Sequence, residues 1–135
     1  MQIGAASGTP ILNTVNIGNV SASVLNVGSV NQGSDMRFKN FIFPLETKYG
    51  LSFINNLKPV TYNLISNGKN SIGLIAQDVE EVDASSYFTG SFINENSVEM
   101  KTVDYSKMVV PLIKAVQELS DEIDRLKKEI EELKK

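Results

Sequence analysis

The chain has 135 residues, a net charge of −3 and no His, Cys or Trp. The lack of His and Cys excludes zinc fingers, iron–sulfur sites, disulfide frameworks, thiol nucleophiles and Ser-His-Asp triads. The acidic balance argues against nucleic-acid binding, and no apolar run reaches the roughly 18 residues of a membrane span. We therefore expect no metal, cofactor, nucleic acid or membrane partner, and any catalysis must use Ser, Thr, Lys, Tyr or carboxylates.

Charge is distributed unevenly along the chain. Residues 1–34 contain no charged side chain, whereas residues 118–135 are dominated by Lys, Arg, Glu and Asp. The region between them is mixed. The distribution predicts three parts: an uncharged arm, a mixed domain and a charged rod.

The arm contains a ten-residue repeat. Residues 16–21 (NIGNVS) return as residues 26–31 (NVGSVN), and the apolar positions in each copy alternate as in strands. Gly/Ser/Asn composition also suits a flexible linker. The lack of charge favours the end of a longer β stem, because disordered tails usually carry some charge. Since the repeat begins in mid-pattern, we expect the stem to continue before Met1.

The middle region predicts a small α+β unit. In chain order we expect a helix at 49–57, a strand at 60–65, a turn at 66–70, a buried strand at 72–76, a short helix at 77–82, and strands at 88–93 and 98–103. Burial against other subunits would help to stabilise so small a unit.

The C-terminal region has heptad periodicity. Position a is taken by Val109, Val116, Ile123 and Ile130, and position d by Leu112, Leu119, Leu126 and Leu133. At positions g and e, Glu122 and Glu129 can face Lys127 and Lys134 of a neighbouring helix. This pairing is typical of parallel coiled coils, although one amphipathic helix packed on its own domain is an alternative.

The oligomer order is open from the heptads alone. β-branched residues at a with Leu at d nominally favour a dimer, but an attached domain can override that preference. Ile113 and Ala115 widen the apolar face near the helix start, which suits docking onto the globular part or onto a third helix. Pro111 predicts a kink or a helix start nearby.

With His and Cys absent, a Ser near a Lys is the first candidate for chemistry. Ser34 and Lys39 lie at the border between arm and domain. A lysine serves as general base where burial or a nearby cation lowers its pKa, and Arg37 is a candidate for that cation. In a strand the two residues would be about 16 Å apart on opposite faces, so the pair needs a turn at 33–35 or a partner subunit. Taken alone, Ser-Asp is more often a turn or a cap, and a lysine is more often plain surface.

Four ordered motifs carry a resemblance to a known family. They are residues 34–40 (SDMRFKN), 57–62 (LKPVTY), 73–82 (GLIAQDVEEV), and 103–108 (VDYSKM) leading into 111–116 (PLIKAV). This order resembles the endosialidase-type intramolecular chaperone domain at the C-termini of phage tail spikes, tail fibres and neck appendages. Met36 and Phe38 depart from the pattern, because relatives often carry Glu and Leu there.

The resemblance implies a homotrimer that registers and folds an upstream fibre stem and then cuts itself off. It places the cut at Ser34–Asp35, with Ser34 as nucleophile and Lys39 as its activator, in a single-turnover serine endopeptidase without a cofactor. It divides the chain into the stem end (1–33), the α+β chaperone domain (34–104), and the helix and coiled coil (105–135). It also implies action in the host cytoplasm during virion assembly, with the stem retained in the virion.

Ring size constrains the chemistry. Attack by Ser34 Oγ on its own carbonyl closes a strained four-membered ring, whereas attack on the Gly33 carbonyl closes a five-membered ring but cuts before Ser34. A cut after Ser34 therefore needs activated water, a group from a neighbouring chain or an unusual intermediate, and the Asp35 carboxylate could take part. The residues leave these routes open.

Two other functions compete with self-cleavage. One is a permanent trimeric fibre tip that is never cut. The other is the related self-cleaving segment of membrane-tethered transcription factors, against which the fibre-like repeat and the lack of a following membrane span both argue.

Overall fold

The computed structural model describes residues 17–22 and 24–135. They belong to two compact units, which we call the first unit (up to Phe41) and the second unit (from Ile42). The start of the first repeat at Asn16 and the expected continuation of the stem before Met1 lie outside the described residues. Each unit is described below by itself.

In the first unit, the described part of the arm is extended and exposed. Residues 17–22 and 24–34 contain no strand in the single chain, and their side chains all face solvent. A stem made of strands from several chains has its hydrogen-bonding partners in those other chains, so the β stem stays a prediction. The regular element of the described part is a one-turn 3₁₀ helix at Met36–Phe38.

The second unit is a mixed α+β fold with a long C-terminal helix. Its elements are a 3₁₀ turn (Thr47–Tyr49), α1 (Leu51–Asn56), β1 (Val60–Asn63), β2 (Asn70–Gly73), α2 (Ala76–Val82), β3 (Thr89–Ile93), β4 (Glu99–Val103), a 3₁₀ turn (Tyr105–Met108) and α3 (Val109–Leu133). The four strands form two antiparallel hairpins, β1–β2 and β3–β4, each a separate two-stranded sheet. The α+β class is therefore confirmed.

The strand expected to be buried is wrong in its bounds and in its environment. β2 starts at Asn70 and ends at Gly73, so it takes in the end of the predicted turn and leaves out residues 74–76. Its Ile72 side chain is 77% exposed in the single chain. A two-stranded sheet needs a further layer to bury its apolar face, and the second unit of one chain supplies none over Ile72.

The core is a cluster of aromatic and aliphatic side chains from the two 3₁₀ turns of the second unit, α1, α2 and the residue before β3. It comprises Tyr49, Phe53, Val79, Phe88 and Met108, each at most 6% exposed. The Phe53 and Phe88 rings stack with centroids 4.8 Å apart. Such pairs stabilise a fold by about 0.5–1.5 kcal/mol beyond the area they bury, which matters in so small a core.

α3 packs on its own domain through a face that differs from the heptad face. Pro111 and Ala115 are buried, and Glu118 one turn later accepts a hydrogen bond from the Leu51 amide at 3.4 Å. Ile113 and Ala115 were both expected to suit docking. Only Ala115 packs on the domain, since Ile113 is 53% exposed. Pro111 is tolerated because the third amide of a helix has no intrahelical acceptor, and the helix begins close to it as predicted.

The heptad face of α3 is exposed along its whole length. All eight a and d side chains are between 43% and 85% exposed, namely Val109, Leu112, Val116, Leu119, Ile123, Leu126, Ile130 and Leu133. Glu122 and Glu129 form ion pairs with Arg125 of the same helix. An apolar stripe of this length is typical of a surface that another helix covers.

Gly73 permits a close contact between two of the recognised motifs. The Tyr105 hydroxyl accepts a hydrogen bond from the Leu74 amide at 2.7 Å and lies within 3.3 Å of the Leu74 carbonyl oxygen. A Cβ atom at position 73 would lie 2.5 Å from that hydroxyl and 3.3 Å from a ring carbon of Tyr62. The end of β2 therefore needs glycine because two tyrosine side chains pass over it.

We predict that Gly73→Ala destabilises the second unit by about 1–3 kcal/mol, because the added methyl group displaces a rigid ring and its hydrogen bond. Urea unfolding followed by circular dichroism measures the change. In a Tyr105→Phe background the same substitution should cost less, since the clashing hydroxyl is gone. Equal costs in the two backgrounds would contradict the contact, and Gly90→Ala, which meets only the Thr102 hydroxyl at 3.1 Å, is the control.

Candidate functional site

A tight turn follows Ser34. Asp35 is extended (φ −71°, ψ 133°), and Met36–Phe38 form one turn of 3₁₀ helix. The Phe38 amide donates to the Asp35 carbonyl and the Lys39 amide to the Met36 carbonyl, both at 3.1 Å. The chain direction therefore changes within five residues.

This turn brings Ser34 and Lys39 together. Lys39 Nζ donates a hydrogen bond to Ser34 Oγ at 2.6 Å. A strand would have kept them about 16 Å apart. The expected turn at 33–35 is corrected: the chain turns over Asp35 to Lys39, and no partner subunit is needed for the contact. An amine and a hydroxyl at this distance are within reach for direct proton transfer.

Asp35 and Arg37 form an ion pair inside the turn. The Arg37 amide donates to Asp35 Oδ1 at 2.8 Å, Arg37 Nε donates to the same oxygen at 3.1 Å, and Nη2 donates to Oδ2 at 2.8 Å. The guanidinium and then the amide hold the pKa of the Asp35 carboxyl below its ordinary value. The carboxylate in turn raises the pKa of Arg37.

The ion pair changes the role that the sequence suggested for Arg37. Its charge was a candidate to act directly on the lysine amine. In the structure the Asp35 carboxylate compensates that charge. The Arg37 guanidinium is therefore bound within the turn, as one half of an ion pair.

The pair is open to solvent in the single chain. Ser34, Asp35, Arg37 and Lys39 are all exposed. The apolar neighbours along the segment are exposed as well: Met36 by 73%, Phe38 by 89% and Phe41 by 87%. A lysine base needs a site in which its charged form is disfavoured, and such a site is formed by removing water. A single chain thus supplies the contact between Lys39 and Ser34, but it does not exclude water from it.

Packing and hydrogen bonds explain several residues in two of the other recognised motifs. Val79 of residues 73–82 is 1% exposed, and Ala76 in the same stretch is buried. Tyr105 of residues 103–108 binds the end of β2, and the Asp104 carboxylate accepts hydrogen bonds from the Ser106 hydroxyl at 2.6 Å and the Lys107 amide at 3.2 Å. These contacts lower the pKa of Asp104, with the Ser106 hydroxyl as the main cause.

Clusters of metal-ligating side chains and membrane-spanning helices are both absent from the described part of the chain. Across residues 17–22 and 24–135, no cluster of three acidic side chains is placed to hold a metal ion. Across the same residues, no helix has the length and apolarity required to cross a membrane.

The reasoning from sequence missed the Asp35–Arg37 ion pair, although it noted Asp35 as a possible participant. The signal was present, because Asp is a preferred residue just before a helical turn and its carboxylate accepts the amide two residues later. A one-turn 3₁₀ helix is too short to leave any periodic pattern. The sequence therefore shows an Asp and an Arg two positions apart, but it does not show that their side chains are in contact.

Comparison with known families identifies the region that begins at this turn. Residues 34–87 match the model of the peptidase S74 family, described as chaperone of endosialidase. Residues 34–87 are therefore similar to an endosialidase-type chaperone domain. The match starts at Ser34, the first residue of the candidate site, and covers less than half of the chain. No curated protein matches the chain.

The family match confirms the resemblance over residues 34–87. It includes the motifs at 34–40, 57–62 and 73–82. The motif at 103–108 and the heptads lie beyond it, so for them the endosialidase-type chaperone resemblance stays a prediction. The family name relates the domain to peptidases, which agrees in kind with a self-cleaving function.

Proposed function

We propose that this chain is a self-cleaving intramolecular chaperone of a phage tail or neck appendage fibre. It forms a homotrimer, registers the upstream stem, and cuts itself at Ser34–Asp35. The observation that carries the proposal is the 2.6 Å hydrogen bond between Lys39 Nζ and Ser34 Oγ at the first residue of the matched domain. The client is the stem of the same three chains. The chaperone acts in the host cytoplasm during virion assembly, and the stem remains in the virion.

The chemistry assigned to the pair is general-base activation of a hydroxyl. In the route through a serine ester, Lys39 in its neutral form takes the proton of Ser34 Oγ as that oxygen attacks the Ser34 carbonyl carbon of a neighbouring chain. The same proton is then available for the departing amide nitrogen, which leaves as an amine. Water adds to the resulting ester, so the net change is hydrolysis of one peptide bond to a carboxylate and an amine.

The identity of the attacked carbonyl depends on which bond breaks. Attack on the Gly33 carbonyl through a five-membered ring gives an ester on Ser34 and cuts before it. A cut between Ser34 and Asp35 instead uses water activated by the Ser34–Lys39 pair, or the hydroxyl of a neighbouring chain. The exposed position of the pair leaves room for either reactant.

Trimerisation is supported by the surfaces that the single chain leaves uncovered. The eight a and d side chains of α3 form one exposed stripe along the helix. Near the candidate site, Met36, Phe38 and Phe41 are exposed over most of their surface. Covering them would remove water from the neighbourhood of Lys39, which favours the neutral amine that a base requires. Assembly and cleavage are coupled in this way.

The chaperone role follows from the register of the stem. A repeat of ten residues permits pairings shifted by ten, since the shifted strands present the same apolar positions. Parallel helices at the C-terminus would align three chains and raise the effective concentration of their stems. Cleavage afterwards removes the aligning device, so the folded stem is held by a kinetic barrier.

Expression of the chain followed by a denaturing gel tests the proposal. Self-cleavage predicts two fragments, residues 1–34 and 35–135. The second candidate function, a non-cleaving trimeric tip, is favoured by the solvent exposure of the Ser34–Lys39 pair and predicts a single band at 14.8 kDa. A single band from protein that is trimeric and folded would contradict self-cleavage.

A further inference from the structure

The Ser34–Lys39 contact depends on a turn with little intrinsic stability. The turn has two backbone hydrogen bonds and buries none of its three helical residues. Isolated 3₁₀ turns of this length are marginal in water, because few hydrogen bonds offset the backbone entropy that is lost. A further interaction must therefore hold Lys39 over Ser34.

The Asp35–Arg37 ion pair is that interaction. One carboxylate receives the Arg37 amide and two guanidinium nitrogens, at 2.8 to 3.3 Å. The hydrogen bond from the Arg37 amide fixes the backbone at the start of the turn. The guanidinium hydrogen bonds fix the carboxylate that accepts the amide. A planar guanidinium matches both carboxylate oxygens at once, which a lysine ammonium cannot do.

We propose that Arg37 is a positioning residue for self-cleavage: by clamping the Asp35 carboxylate, it holds the 3₁₀ turn in the shape that places Lys39 Nζ on Ser34 Oγ. This inference rests on the proposed function, since it concerns the same pair. It also assigns Asp35 a structural role, because both of its carboxylate oxygens already accept hydrogen bonds from Arg37. Asp35 is thereby excluded as the general base.

The first test measures cleavage rates of the full chain after cell-free synthesis and chase. Arg37→Gln removes the positive charge and the two-nitrogen contact with the carboxylate. It should slow cleavage by about 10- to 100-fold, because small misplacements of reacting groups reduce rates by factors of this order. Arg37→Lys should fall between Arg37→Gln and the wild type. Lys48→Gln is the matched control, since Lys48 also pairs with a carboxylate two residues earlier, Glu46 at 3.7 Å.

The second test measures the clamp, which is the ion pair between Arg37 and the Asp35 carboxylate, independently of cleavage. The carboxyl carbon of Asp35 is titrated by NMR in an uncleaved Ser34→Ala chain, with Arg37 and with Arg37→Gln. The clamp predicts that the Asp35 pKa is below its ordinary value with Arg37 and returns towards it with Gln. The ionised carboxylate that holds the turn should thus be lost at a higher pH in the Gln variant.

The possible outcomes lead to different conclusions. An uncleaved wild-type chain contradicts the proposed function, and the titration still decides whether the clamp exists. If the wild type is cleaved and Arg37→Gln is cleaved at the same rate, the positioning role is wrong. Equal Asp35 pKa values in the two chains would also overturn it. Slower cleavage with an unchanged melting temperature of the second unit, and with a raised Asp35 pKa, supports it.

Discussion

Ser34→Ala should leave the chain uncleaved, slowing cleavage by about a thousandfold or more, because it removes the hydroxyl that Lys39 contacts. Lys39→Ala should have the same effect. Lys39→Arg should also fail, since a guanidinium is not deprotonated in proteins and cannot accept the proton. Gel densitometry over a time course measures all three variants against the wild type.

Both residues are exposed, so these substitutions should not unfold the chain. Matched controls are Ser29→Ala in the same arm and Lys69→Ala in the β1–β2 turn, which remove the same side chains from other exposed positions. Both controls should be cleaved at the wild-type rate. Cleavage at the normal rate in Ser34→Ala or in Lys39→Ala would show that the site is assigned to the wrong residues.

Leu119→Asp combined with Leu126→Asp should convert the proposed trimer into monomers. Each substitution places a carboxylate in every chain at a d layer, where the proposed coiled coil buries leucine next to its own copies. Light scattering with size-exclusion chromatography gives the mass in solution. Cleavage should slow in the same variant, because the Ser34–Lys39 pair then remains in water.

A single substitution on the other side of α3 is the appropriate comparison. Gln117→Asp adds a carboxylate at an exposed b position, which a coiled coil leaves in solvent. It should remain trimeric and be cleaved normally. If the Leu119/Leu126 variant stays trimeric, the heptad stripe is not the assembly surface. If it is monomeric yet cleaved at the full rate, assembly and cleavage are not coupled.

Much of the fold was predictable from sequence because its signals are local. Three- and four-residue spacing of apolar residues predicted a helix from Val109, and α3 begins there. Alternation and turn residues predicted the four strands and the turn between the first two, with strand ends displaced by a few positions. β2 was the main error: its run of apolar residues indicated burial, but Ile72 is exposed in the single chain. A sequence shows that one face of a strand is apolar, but it does not show which chain covers that face.

The candidate site was predictable in part for a different reason. The residue types made Ser34 and Lys39 candidate catalytic residues, and the family resemblance supported that prediction. Their contact depends on where the chain turns, which a five-residue segment does not encode in any periodicity. The Asp35–Arg37 ion pair was not predicted, because the spacing of the two residues does not show that the guanidinium binds the carboxylate.

Packing accounts for most of the remaining family motif residues. Gly73 and Tyr105 are far apart in sequence, and their relation becomes clear only when a Cβ atom at position 73 is found to meet the tyrosine hydroxyl. Val79 is almost fully buried. The motifs therefore combine residues that build the domain with the few at 34–39 that are proposed to act.

Mass spectrometry of the purified wild-type chain tests the central claim most directly. The account predicts two masses, with a new N-terminus at Asp35 and a new C-terminus at Ser34. A new N-terminus at Ser34 would contradict the assigned bond and indicate attack on the Gly33 carbonyl. A single mass for residues 1–135 from folded, assembled protein would contradict self-cleavage altogether.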